Sequence, residues 1–310
     1  MSSNVIVTGG AGFIGSHVAD ALLAAGHEVT VLDDLSSGSA AKVPDGAQLV
    51  ELDIVDRPAL ERVFDEVRPT AVYHLAAQAS VTASVADPGR DCAVNVQGTL
   101  NVVDLASRLG APVSFTSTGG ALYGDDVPMP TDERNLPVPL APYGASKLAG
   151  EAYVKTWSLS SGVPHAVCRL GNVYGPRQSP HGEAGVVAIF SEHLHSGRPP
   201  KMFGHGTPTR DYVYVGDVVS ALIAANGKRG TFNIATGVET DVKTLWEVLR
   251  EASGAEVEPE LAELRPGELR RSCLDNSLAE RELGWRATVP IEQGLRRTYA
   301  ALVEEFAAAG

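Results

Sequence analysis

The stretch VTGGAGFIGSH, residues 7–17, decides the fold. It sets Gly9, Gly12 and Gly15 at G-x-x-G-x-x-G spacing between an apolar run, NVIVT, and a helical pattern, FIGSHVADALLAAG. A strand that turns through glycines into a helix lets the backbone approach a pyrophosphate, which then rests on the helix N-terminus. Such turns also serve packing, so the acidic partner matters. The second strand, EVTVLDD, ends in Asp33, eighteen residues past Gly15. A carboxylate there reads as the acceptor for both hydroxyls of an adenosine ribose. It repels a 2′-phosphate, and no arginine adjoins it in sequence, which favours NAD over NADP; a plain turn residue is the alternative. Asp53, in ELDI, ends the third strand and reads either as an adenine-edge contact or as a solvated strand end.

The alternation continues outward. AQLVELDI, AVYHLAA, PVSFTST and HAVCRLGNVYG read as strands, with helices over RPALERVFDEV, CAVNVQGTLNVVDLASRLG and PYGASKLAGEAYVKTWSLSSG. Strands alternating with helices predict an α/β fold, a Rossmann-type doubly wound parallel sheet with right-handed crossovers. From about residue 175 the pattern breaks into the Gly- and Pro-rich GPRQSPHGEAGVV and shorter elements, among them helix AIFSEHLHSG, strand KMFG and a C-terminal amphipathic helix. The predicted organisation is an NAD-binding domain over 1–174, which also takes part of 210–240, and a smaller, interleaved α/β substrate-binding lid over 175–310.

Composition narrows the function. A net charge of −13 argues against nucleic acid, which demands a basic face. Three scattered cysteines form no metal spacing, so a reducing cytoplasm and no metal are expected. The N-terminus carries no signal-peptide pattern and no apolar run is long enough for a membrane span. In APYGASKLAG, residues 141–150, Tyr143 and Lys147 stand one helical turn apart. They read either as a surface pair or as a phenol whose proton a cation loosens.

TGGAGFIG, HLAAQASV, TSTGGALYG, PYGASK and RDYVYVGDV, in that order over nearly the whole chain, resemble the extended short-chain dehydrogenase/reductase family, of the NAD-dependent epimerase/dehydratase type. Within it they are most similar to the bacterial UDP-glucose 4-epimerases. The resemblance implies a tightly held NAD reduced and reoxidised within one turnover. It makes Tyr143 the base for the sugar C4 hydroxyl and Lys147 the cation that hydrogen-bonds the nicotinamide ribose and lowers the phenol's pKa, so both also count as cofactor contacts. A hydroxyl after the fifth strand completes the set. Family spacing points to Thr118, with Ser117 second, whereas alignment on Tyr123–Gly124 puts Gly119 there. Phe13, Ile14, Ile54, Leu75, Ala76, Ala77 and Asn95 are implied cofactor contacts. For the UDP-sugar, Asn172, Arg210 and Arg265 are implied at the diphosphate, Phe203 and Val187 at the uracil, and Glu268 at the ribose. Lys201 is a further contact, and backbone groups of HGEAGVV feed the base pocket.

Gly119 and Gly120 stand where sugar dehydratases carry an acidic pair and decarboxylases a nearby glutamate, which leaves elimination without its proton shuttle. They are also read as room for a keto sugar to turn over. Ser272 falls where a bulky tyrosine often gates the sugar pocket, so N-acetylhexosamines are admissible. The expected function is UDP-glucose/UDP-galactose 4-epimerisation. The alternatives are a UDP-glucuronate 4-epimerase, with Arg177, His181 or Thr118 receiving the carboxylate and Ser179 in place of a second arginine; a net oxidoreductase; and a non-catalytic NAD-binding regulator. A homodimer through helices near 93–109 and 143–160 is expected by analogy.

Overall fold

Seven parallel strands carry the molecule, a computed structural model that describes residues 3–124, 126–181, 185–265 and 268–309. In chain order the strands are β1 (Asn4–Thr8), β2 (Glu28–Asp33), β3 (Gln48–Glu51), β4 (Ala71–His74), β5 (Val113–Thr118), β6 (Ala166–Leu170), β7 (Asn172–Tyr174), β8 (Lys201–Phe203), β9 (Thr209–Arg210), β10 (Tyr212–Tyr214), β11 (Gly230–Ile234), β12 (Thr240–Asp241) and β13 (Glu260–Ala262). The central sheet runs β11-β6-β5-β4-β1-β2-β3. The helices are α1 (Phe13–Ala24), α2 (Arg57–Val67), α3 (Val81–Ala86), α4 (Pro88–Cys92), α5 (Thr99–Arg108), α6 (Pro142–Ser161), α7 (Val186–Ser196), α8 (Val215–Ala225), α9 (Val242–Ser253), α10 (Ser277–Leu283) and α11 (Ile291–Ala309).

Strand periodicity divides the apolar residues between two cores. Val5 and Val7 of β1, Val29 and Val31 of β2 and Ala166 and Cys168 of β6 pack with α1 and α8 on one face. Ile6, Leu32 and Val167, one residue out of phase, pack with α2, α5 and α6 on the other. Both faces are covered, so the fold is the expected doubly wound α/β sheet.

A third core belongs to the lid. Val187, Phe190 and Leu194 of α7 meet Leu245, Trp246 and Leu249 of α9 and Leu295 of α11. The chain is stitched between sheet and lid. It leaves after β7, returns through β10 and α8 to β11, departs again through β12 and α9, comes back at Leu274 and α10, and ends on the lid with α11. The buried Asp211 carboxylate fastens one crossing. It accepts from Thr236 N at 2.8 Å, Thr236 Oγ1 at 2.6 Å, Gly237 N at 2.9 Å and Leu274 N at 3.3 Å.

The structure departs from the sequence reading in three places. HAVCRLGNVYG is two strands, not one. At Gly171 the chain leaves the central sheet, donating Gly171 N to Ile234 O while Asn172 N turns to Asp211 O, and β7 then pairs with β10. The helix expected over CAVNVQGTLNVVDLASRLG widens into a π-helical turn at Ala93–Gly98, where Gly98 lies directly on Ile54. GTFNI, to which the sequence reading assigns no strand, is β11 and closes one edge of the sheet. Among the described residues, no helix is long and apolar enough to cross a membrane.

Candidate active site

The strand order reverses at β1, so the connections leaving β1 and β4 diverge and open a crevice at the strands' C-terminal ends. Gly9 sits there with φ +71°, and a Cβ on it would lie 2.6 Å from Ala76 N, so no other residue fits. Gly15 opens α1 against Gly9 O, where a Cβ would come within 2.1 Å. The N-cap is Gly12, with no side-chain cap, which leaves the first amides of α1 facing the crevice. Asp33 Oδ2 accepts from Ala11 N at 3.0 Å and Oδ1 from Leu35 N at 2.9 Å. Burial pushes its pKa up, against those two bonds. Phe13, Ile14, Leu75, Ala76 and Ala77 are half-buried in the segments that follow β1 and β4, with Ile14 and Leu75 resting on one core and Ala76 on the other. A backbone cradle, uncapped amides and a carboxylate fixed at the end of β2 fit a dinucleotide.

The side chains of two expected cofactor contacts serve as supports. Ile54 is 3% exposed and packs into the core with α5, so its side chain faces away from the crevice. Asn95 is 1% exposed, with both ends of its amide hydrogen-bonded. Its Oδ1 accepts from Gln78 N at 2.9 Å, and its Nδ2 donates to Gln78 O at 2.9 Å and Ser146 Oγ at 3.0 Å. It thereby braces the segment after β4 against the first turn of α6. Beneath the crevice, His74 bridges Thr8 Oγ1 at 2.7 Å and Thr99 Oγ1 at 3.0 Å, and Thr8 Oγ1 accepts from Leu75 N and Ala76 N. Burial, with the Lys147 charge beside it, lowers the His74 pKa to about 3 and keeps it neutral.

Tyr143 and Lys147 lie on the first turns of α6, one turn apart, with Tyr143 half-buried. Lys147 is 3% exposed, and its Nζ stands 4.7 Å above the centre of the Phe115 ring. Burial lowers its pKa to about 8, while Glu151 and Asp91 act to raise it. Thr118 closes β5 and accepts from Ala121 N at 3.2 Å; Gly144 packs on Ala121 O, so this turn abuts the base of Tyr143. The Ser117 hydroxyl is turned to α6 instead, where it donates to the buried Glu151 Oε1 at 2.7 Å.

Glu151 is the hub of a buried network absent from the sequence reading. Arg169 donates to it from Nε at 2.8 Å and from Nη2 at 2.7 Å. Arg169 Nη1 reaches the Tyr123 hydroxyl at 2.5 Å, and that hydroxyl bonds Asn233 Oδ1 at 3.3 Å. Burial would raise the Glu151 pKa, but the Arg169 bonds hold it below the ordinary value. The network ties β5, α6, β6, β11 and the loop after β5 together under the Tyr–Lys pair. Glu151 lies one turn beyond Lys147, a helical spacing that the sequence does show; nothing in the sequence points to Arg169.

The residues expected at the substrate lie mostly on the lid. Asn172 opens β7, with its Oδ1 3.6 Å from where a Cβ on Gly120 would stand, so a Cβ at Gly120 would meet only ordinary contact. Gly119 has a different cause: a Cβ there would meet Leu274 Cδ1 at 2.3 Å, so it serves packing rather than sugar movement. Arg265 lies over the Phe203 ring at 3.9 Å. Arg210 Nη2 is 4.0 Å from Glu268 Oε1, while Glu268 Oε2 is buried with no hydrogen-bond partner among the described residues. Lys201 is exposed on the same face of β8 as Phe203. Ser272 is 9% exposed, with its N bonded to Thr209 O at 3.2 Å. Val187, expected at the base, is 1% exposed inside the lid core, which removes its side chain from any pocket. Gly182, Glu183 and Ala184 of HGEAGVV lie outside the described residues.

Comparison with known proteins agrees with this geometry. The UDP-glucose 4-epimerase of Mycolicibacterium smegmatis is 48% identical over 303 residues, covering 94% of this chain and 96% of that one. The crystal structure of the Thermotoga maritima UDP-glucose 4-epimerase with UDP-glucose superposes with a TM-score of 0.94 at 43% identity, over 98% of this chain and 99% of that one. The Thermus thermophilus UDP-glucose 4-epimerase in complex with NAD gives 0.89 at 44% identity, over 96% and 98%. A family model, that of the NAD dependent epimerase/dehydratase family, matches residues 5–235, and with the glycine cradle and the Tyr143–Lys147 helix in place, this chain belongs to that family.

Proposed function

We propose that the chain is an NAD-dependent UDP-hexose 4-epimerase that interconverts UDP-glucose and UDP-galactose. The observation that carries this reading is the pair on α6: a half-buried tyrosine one turn from a desolvated lysine, at the mouth of a crevice shaped for a dinucleotide. NAD held in this crevice would supply the hydride acceptor and donor for a redox cycle at the sugar C4. Tyr143 takes the proton of the C4 hydroxyl and gives it back. Lys147, kept cationic at neutral pH, favours the phenolate. Thr118 uses its hydroxyl oxygen to hold the Ala121 amide, and its hydrogen then serves the sugar oxygen. Gly119 and Gly120 provide no carboxylate, so the intermediate is spared elimination. Asp33 holds the adenosine ribose, and Asp53 flanks the adenine.

On the lid, Arg210, Arg265 and Asn172 hold the diphosphate. Glu268 meets the uridine ribose with its unpartnered oxygen, and Lys201 and Phe203 line the approach to the base. The small residues Ser272 and Gly120 support turnover of N-acetylhexosamines too. The uronate alternative is weakened at one of its three receivers, because Arg177 is turned to Asp20 at 2.6 Å, and Ser179 is held by the backbone of His181. Two further readings belong here. Exposed Tyr153 and Leu159 on α6 suit a homodimer through α5 and α6, and three free thiols suit a reducing cytoplasm.

Nuclear magnetic resonance of the purified protein with UDP-glucose, and separately with UDP-glucuronate, tests the function without added cofactor. A galacto-configured anomeric signal growing from UDP-glucose alone is the expected result. Growth mainly from the uronate would replace the reading. Accumulation of NADH with an oxidised sugar would make the protein a net oxidoreductase, and no change in either tube after adding NAD would favour the non-catalytic regulator.

A further inference from the structure

No arginine adjoins Asp33 in sequence, yet the fold delivers one to this end of the crevice. Arg90 of α4 donates from Nη1 to Asp53 Oδ2 at 3.0 Å and from Nη2 lies 3.3 Å from Asp34 Oδ2. The topology gives this contact its meaning. Arg90 comes from the segment after β4, whereas Asp34 follows β2 and Asp53 follows β3, and in the sheet β1 stands between β4 and β2. The guanidinium therefore crosses above the end of β1 and joins the two lips of the crevice.

Both lips are anchored. On one side, Asp87 caps Arg90 N at 2.9 Å, and the buried Asp91 accepts from Gln78 Nε2 at 2.9 Å and Asn95 Nδ2 at 3.1 Å. On the other, Asp34 Oδ1 holds Ser36 N at 3.0 Å and Ser36 Oγ at 2.6 Å, and Asp53 Oδ1 holds Val55 N at 2.9 Å. What can open is the arginine side chain itself, 44% exposed.

We propose that Arg90 is a clasp that closes the adenosine end of the crevice over the bound dinucleotide and slows its release. The inference rests on the NAD reading above. An enzyme that returns its hydride within each turnover gains nothing from exchanging its cofactor, and a clasp at the far end from Tyr143 retards exchange without touching the reacting atoms. Both ion pairs are partly exposed, so their combined effect is about three- to tenfold in rate, and salt should weaken it.

The experiment loads wild-type protein and Arg90→Ala with NAD, removes free NAD by rapid desalting, and follows release by trapping free NAD with a coupled dehydrogenase at low and high salt. The variant should release NAD about three- to tenfold faster. Salt should speed release from the wild type and leave the variant nearly unchanged. Melting without NAD should be alike in both, while the NAD-induced rise in Tm is smaller in the variant. Equal release rates, equal salt dependence, or a variant already destabilised without NAD would overturn the clasp. Failure of the wild type to take up NAD would overturn the epimerase reading and the clasp together; normal uptake with equal release overturns the clasp alone.

Discussion

The two ends of the crevice are built from different materials. The cofactor end is backbone: Gly9 and Gly15 admit no side chain, and Asp33 has both oxygens bonded before any ligand arrives. The end proposed for the sugar nucleotide is side chain: Arg265 rests on Phe203, Arg210 stands 4.0 Å from Glu268, and one Glu268 oxygen is buried without a partner among the described residues. The first is organised in advance. The second is completed by what it binds, so ordering costs there fall on the substrate. The Tyr143–Lys147 helix stands between them and answers to both.

The sharpest way to separate the three is Tyr143→Phe, which removes the proton acceptor and leaves both ends intact. Turnover should fall by about 10²–10⁴-fold with NAD uptake unchanged; a loss under tenfold would mean that another group takes the proton. Next comes the support beneath. Arg169→Met leaves Glu151 charged in the core and should cost about 3–5 kcal/mol of stability, read by denaturant unfolding. Tyr123→Phe should cost about 1–2 kcal/mol, and equal losses in the two variants would contradict the network's hierarchy.

At the nucleotide end, Arg210→Ala should raise KM for UDP-glucose by about 10–100-fold, with a smaller effect on kcat and none on NAD release. A matching change in NAD release would erase the contrast between the ends.

Acid tests the buried imidazoles. His74 and His165 have folded pKa values lowered by burial to about 3 and about 4, against an unfolded value near 6.5. The unfolded chain therefore takes up protons first. Stability is full above about pH 6.5 and falls as pH drops toward 4, by up to about 1.4 kcal/mol per pH unit for each proton. Val113 N donates to His165 Nδ1 at 3.0 Å, a bond that protonation destroys. Denaturant midpoints at pH 7, 6 and 5 check this, and a flat profile would refute it.

The smallest effect distinguishes two neighbours in sequence. Gly119→Ala drives a methyl into Leu274 and should cost about 1–3 kcal/mol, whereas Gly120→Ala should stay within about 0.5 kcal/mol. Thermal melting of the two variants suffices.

The same contrast explains what the sequence disclosed. The glycine turn was legible because backbone geometry dictates residue type, and the strands because both sheet faces are apolar. Resemblance located Ile54, Asn95, Val187 and Ser117 near the site, but position along the chain does not give side-chain direction, and all four point into cores or supports. Arg90 was invisible for another reason. Its partners lie 37 and 56 residues away, and only the strand order brings them together.

The stitched path of the chain has an evolutionary consequence. A lid that hung from one linker could be exchanged as a cassette, and new substrates could be acquired by swapping it. Here a cut at any single crossing leaves the lid attached at the others, with Asp211 fastening one seam. Neither half can be removed without tearing the other. Change in substrate range must therefore come piecemeal, by substitutions at positions such as Gly120, on a frame that is inherited whole.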